Sequence, residues 1–126
     1  MKKIILVLLA LSTLAFAKLE WGIDYDGAIK QAKAENKKVL VMLSREGCPA
    51  CEYMKDIVFE NGKVVLELKK GYVLVMIDIH NDFVPTNLSY YGTPTFYMLD
   101  GNEKKLDRID GGVNTKTFLE HLEKLK

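Results

Sequence analysis

Four residues separate an uninterrupted apolar run, Val39 to Leu43, from Cys48-Pro49-Ala50-Cys51. A run with no polar side chain, flanked by charged residues, fits a strand buried on both faces. Proline is favoured at the first position of a helix, where its missing N–H costs nothing. The chain is therefore expected to leave a buried strand, turn through Arg45-Glu46-Gly47 and enter a helix at or just after Cys48. A strand buried on both faces needs a covering layer on each side, which points to an α/β architecture.

The flanking segments fill in that architecture. Tyr25, Ala28, Ile29 and Ala32 recur at the spacing of one helix face, predicting a helix near Asp24 to Asn36 with Asp24 as its N-cap. Tyr53, Met54, Ile57 and Val58 are expected to form the apolar face of the helix after Cys48, with Asn61-Gly62 as punctuation and Val64 to Lys70 as a further helical piece. Tyr72 to Ile79 reads as a second buried strand, Asn81 to Ser89 as a polar loop or short helix, and Thr95 to Leu99 as a third strand. Asp100-Gly101-Asn102 signals a turn into a fourth strand near Lys105 to Ile109, which Gly111-Gly112 ends. Phe118, Leu119, Leu122 and Leu125 place a closing helix over Thr115 to Lys126. The order α-β-α-β, then β-β-α, predicts a mixed central sheet of about four or five strands with helices on both faces.

The first 17 residues differ in kind. Lys2 and Lys3 precede an apolar stretch, Ile4 to Leu14, that ends in Ala15-Phe16-Ala17. This is the pattern of a secretory signal peptide cut after Ala17, and the stretch is shorter than the ~20 residues a membrane span needs. The expected division is a signal peptide over 1–17 and one domain over 18–126, placed in the periplasm. Without Lys2 and Lys3 the chain carries 16 basic and 17 acidic residues, so its net charge is about −1. That balance argues against a nucleic-acid or membrane-surface partner, either of which would select a basic patch. Export also means that disulfides can form and persist.

Two cysteines three positions apart do not make a stapled scaffold. At a helix N-terminus, however, unpaired amides and the helix dipole favour a thiolate, which is the nucleophile of disulfide exchange. Cys48 is thus expected to attack a substrate sulfur, and Cys51, about one turn later, to resolve the mixed disulfide. Other readings of the pair are weaker. A structural disulfide closing so short a loop adds only about 2 kcal/mol. A zinc site lacks further ligands at suitable spacing, since His80 and His121 lie far apart, and Glu52 stands where covalent haem attachment requires histidine. Copper(I) held by the two thiolates, with Met54 or Met42, remains an alternative on ligand softness. No metal and no organic cofactor is expected, because the two sulfurs carry both electrons.

Taken together, the Cys-Pro-Ala-Cys turn after a buried strand, Thr93-Pro94 before a later strand, and the terminal strand–glycine–helix unit resemble the thioredoxin superfamily. The likeness covers nearly all of 18–126 and is greatest to bacterial periplasmic thioredoxin-like proteins, through Glu35-Asn36-Lys37-Lys38 and the segment Ser44 to Cys51. The resemblance implies a cis Pro94 packed beside the cysteine pair. It also implies that a substrate peptide lies against Pro49, Ala50, Thr93 and Pro94, pairing with the Thr93 backbone as a short strand. Tyr90 and Tyr91 are candidates for the rim of that groove or for core packing. The expected partners are cysteine-containing proteins and a membrane or periplasmic thiol redox partner, with the chain monomeric. The family's habit points to a reductant, although a stabilised Cys48 thiolate favours an oxidant or isomerase. Two positions depart from thioredoxin. Gly47 stands where a tryptophan precedes the first cysteine, and Met42 stands where a buried acid accepts a proton from the resolving cysteine.

Overall fold

The computed structural model describes residues 18–126. The reading of 1–17 as a cleaved signal lies outside the described residues. Five strands form one sheet: β1 (Trp21–Gly22), β2 (Lys38–Ser44), β3 (Tyr72–Asp78), β4 (Thr95–Leu99) and β5 (Lys105–Asp110). Their order across the sheet is β1-β3-β2-β4-β5. Four helices, α1 (Tyr25–Glu35), α2 (Pro49–Asp56), α3 (Gly62–Gly71) and α4 (Thr115–Lys124), complete the domain.

The apolar run sits at the centre of the sheet. β2 pairs parallel with β3, Val39 facing Val73 through Ser44 facing Asp78, and antiparallel with β4, Val39 facing Leu99 through Leu43 facing Thr95. Alternate side chains then go to opposite faces. Val39, Val41 and Leu43 join Tyr25, Ala28 and Ala32 of α1 in one buried cluster. Leu40 and Met42 join Cys51 and Met54 of α2, Leu68 of α3, and Phe118 and Leu122 of α4 in the other.

Local chemistry sets the helix ends. Asp24 accepts the Gly27 amide at the start of α1, and Asn36, in the left-handed region, ends it. Asn61 caps α3 through the amides of Lys63 and Val64, and Asn114 caps α4 through that of Thr117.

One expectation needs correction. Tyr53 and Ile57 do not belong to the buried face of α2; they are 41% and 54% exposed. The buried line is Cys51, Met54 and Val58, because the α-helix stops at Asp56 and a short 3-10 turn, Val58–Glu60, swings the chain inward. Of the two alternatives for Asn81 to Ser89, the structure takes the loop, built of turns and irregular chain. The edge strand β1 brings the sheet to five strands, the upper end of the expected number; its two residues are too few for an alternation to register in the sequence.

Candidate functional site

The cysteine turn begins where β2 ends. Gly47 adopts φ 68°, a left-handed conformation that glycine enters without steric cost. Cys48 follows with extended backbone as the N-cap of α2, and Pro49 opens the helix. The Cys48 carbonyl accepts the Glu52 amide at 3.1 Å, while its Sγ accepts the Cys51 amide, also at 3.1 Å. One of the unpaired donors at the helix start is therefore aimed at the first sulfur. Cys48 and Cys51 are joined as a disulfide with their Cα atoms 5.2 Å apart. Cys51 is fully buried and Cys48 2% exposed. Pro49 is exposed and Ala50 half-buried.

A second loop meets this turn from the far side of the sequence. The Thr93–Pro94 peptide bond is cis. The Thr93 carbonyl lies 3.6 Å from Cys48 Sγ, a contact without a proton while the sulfur is in a disulfide. The Thr93 hydroxyl donates to the same sulfur at 3.4 Å. Thr95 Oγ1 donates to the Gly92 carbonyl at 2.8 Å, and the Gly111 amide donates to the Pro94 carbonyl at 2.8 Å, bracing the loop from both ends. Gly112 passes so near that a Cβ there would lie 3.4 Å from Ala50 Cβ. The next amide, of Val113, donates to Met54 Sδ at 3.4 Å. The residues singled out for exchange and substrate binding thus belong to two segments, the N-cap and first turn of α2 (Cys48, Pro49, Ala50, Cys51) and the loop before β4 (Thr93, Pro94), that meet at the Cys48–Thr93 contact.

A family model described as a thioredoxin-like domain matches residues 25–126. The chain belongs to that thioredoxin-like family. It is 30% identical over 113 residues to the thiol:disulfide interchange protein DsbD of Pseudomonas fluorescens, covering 84% of this chain and 19% of that protein. This thioredoxin-like chain therefore spans about a fifth of the length of that relative. Among solved structures, a thioredoxin from Thermus thermophilus superposes with a TM-score of 0.71 at 25% identity, covering 86% of this chain and 88% of that one. The DsbD C-terminal domain of Neisseria meningitidis, in its oxidised form, superposes with a TM-score of 0.67 at 15% identity, covering 85% and 100%. The second likeness is one of fold.

Within this thioredoxin-like frame, Met42 is fully buried in the cluster that holds Cys51 and Met54. The acids near the turn are paired, exposed or used as turn residues. Glu52 pairs with Lys55 at 3.6 Å, and Glu46 is exposed. Asp78 accepts the amides of His80 and Asn81, which hold its carboxyl below the usual range, so it is a turn residue. His80 lies exposed in that turn. His121 is on α4, its Nδ1 2.6 Å from Asp107. Tyr90 and Tyr91 are exposed, with the Arg108 guanidinium 5.6 Å from the Tyr91 ring centre. The sequence places Arg45 only in the turn before Cys48 and Gly111-Gly112 only at the end of a strand, with no sign of what either touches. The first shows only as a cation three residues before Cys48, and the second meets the turn only through folding.

Proposed function

We propose that this domain is a periplasmic thiol–disulfide oxidoreductase that reduces disulfides in protein substrates. The observation that carries the reading is the Cys48 sulfur at the N-terminus of α2, holding the Cys51 amide at 3.1 Å with the Thr93 carbonyl 3.6 Å away. In the reduced protein the Cys48 thiolate attacks one sulfur of a substrate disulfide. The substrate S–S bond breaks, and its departing thiolate takes a proton from solvent. Cys51, losing its proton to solvent because Met42 supplies no base, then attacks Cys48 Sγ. The mixed disulfide breaks, the second substrate thiol leaves, and two electrons have passed from the pair to the substrate. The outward edge of Thr93 offers a backbone carbonyl to the incoming peptide, next to the attacked sulfur. Return to the dithiol needs a thiol redox partner at the membrane or in the periplasm. The apolar segment ahead of Lys18 supports export.

The direct test is Cys51→Ser. Without the resolving sulfur, Cys48 is expected to accumulate in mixed disulfides with substrate proteins, seen as reductant-sensitive adducts on non-reducing gels and absent from a Cys48→Ser control. An adduct-free Cys51→Ser protein would sink the exchange reading. Metal uptake lost in the same variant would favour the copper alternative.

A further inference from the structure

Arg45 lies between the end of β2 and Cys48, and its guanidinium folds back onto its own turn. Nη1 donates to the Glu46 carbonyl at 3.2 Å and to the Gly47 carbonyl at 3.1 Å. Two successive carbonyls can converge on one donor here because Gly47 is left-handed. The second carbonyl belongs to the peptide unit that joins Gly47 to Cys48, so the cation is bonded into the backbone that presents the sulfur. Other charges at this end of the sheet are engaged or point outward. Glu52 pairs with Lys55 on α2, and Asp110 with Arg108 on β5. Asp78 at the end of β3 takes turn amides. Glu46 and, on α4, Lys116 are exposed.

We propose that Arg45 is a positioning residue for the redox pair: it clamps the turn that presents Cys48, and its fixed charge stabilises the Cys48 thiolate. This inference rests on the oxidoreductase reading. A neighbouring cation favours the ionised form of a thiol, and a guanidinium stays charged at every pH where a cysteine titrates. Since the thiolate exists only in the reduced protein, Arg45 stabilises that form and makes the pair more oxidising than it would otherwise be. Arg45 is only half-buried, which limits the effect through solvent screening.

The test compares Arg45→Gln, which removes the charge, with Arg45→Lys, which keeps it. The Cys48 thiolate is titrated by ultraviolet absorbance in a Cys51→Ser background. The two-cysteine proteins are equilibrated in parallel with glutathione buffers. Arg45→Gln is expected to lower the thiolate population at a fixed pH below the midpoint about three- to fivefold, and to shift the glutathione equilibrium toward the disulfide in the same sense. Arg45→Lys is expected to retain most of the thiolate, and thermal melts establish that each variant is folded. A folded Arg45→Gln that titrates with the parent overturns the proposal, as does an equal shift in both variants, which would leave a clamp without a charge effect. Neither readout uses a protein substrate. If Cys51→Ser still traps partners while Arg45→Gln shows no shift, the Arg45 assignment alone falls.

Discussion

Asp107 shows how one carboxylate can tie an edge strand to a helix. It sits on β5, 2.6 Å from His121 Nδ1 and 3.3 Å from Lys124 Nζ, both on α4. Burial by itself would raise its pKa, but the bonds from His121, the Arg108 amide and Lys124 outweigh burial and hold it below the usual range. A carboxyl whose pKa is depressed by folding contributes stability that is fully present above its unfolded pKa of about 3.9 and is lost as pH falls through the lower folded value. Asp107→Asn is therefore expected to cost about 1 kcal/mol near neutral pH. The gap between variant and parent should close in melts taken below about pH 4. A gap that persists unchanged into acid would assign the loss to packing instead.

At the scale of elements, an aromatic cluster on one face and a turn contact on the other tie helices to the sheet. Phe118 of α4 meets Phe59 at 5.3 Å and Phe96 of β4 at 5.9 Å between ring centres, both edge-on, and Trp21 of β1 closes on Phe59 at 5.2 Å. Edge-to-face rings add to the burial of their area. Phe118→Ala is expected to lose about 3–5 kcal/mol in denaturant unfolding. A loss below 1 kcal/mol would mean that α4 is not held by this cluster. On the other face, the β4–β5 turn presses against α1. A Cβ at Gly101 would sit 2.8 Å from Lys33 Cα, and Tyr25 of α1 donates to Glu103 of the same turn at 2.7 Å. The atoms nearest that Cβ are Lys33 Cα, Cβ and N, none of them the end of a flexible side chain, so Gly101→Ala must move backbone. It is expected to cost about 1–3 kcal/mol in the same measurement.

The whole domain delivers the start of α2 and the loop before β4 to one end of the sheet, where the chain leaves β2 and enters β4. The reductant reading makes a prediction at this scale. Equilibration with glutathione should place the pair near thioredoxin's potential, about −270 mV, whereas a value of about −120 to −180 mV would mark an oxidant or isomerase. Much of this molecule was legible in one dimension. The continuous run Val39 to Leu43 announced the central strand because burial on both faces excludes polar side chains. Asp24 and Pro49 marked helix starts because capping and proline placement are local chemistry. The cysteine pair was equally plain, since both sulfurs lie within one turn of chain. Tyr53 and Ile57 were misplaced because periodicity names a face but not the residue at which a helix stops or the side on which its partner lies. Other features depended on the folded chain alone. The meeting of Thr93 with Cys48, the passage of Gly112 over Ala50 and the closure of Arg45 on its own turn bring together groups whose separations are set by strand pairing and backbone direction. Composition and spacing determined that a strand–turn–helix would carry two sulfurs. Long-range register decided what surrounds them, because contacts between distant segments exist only once the sheet has aligned them.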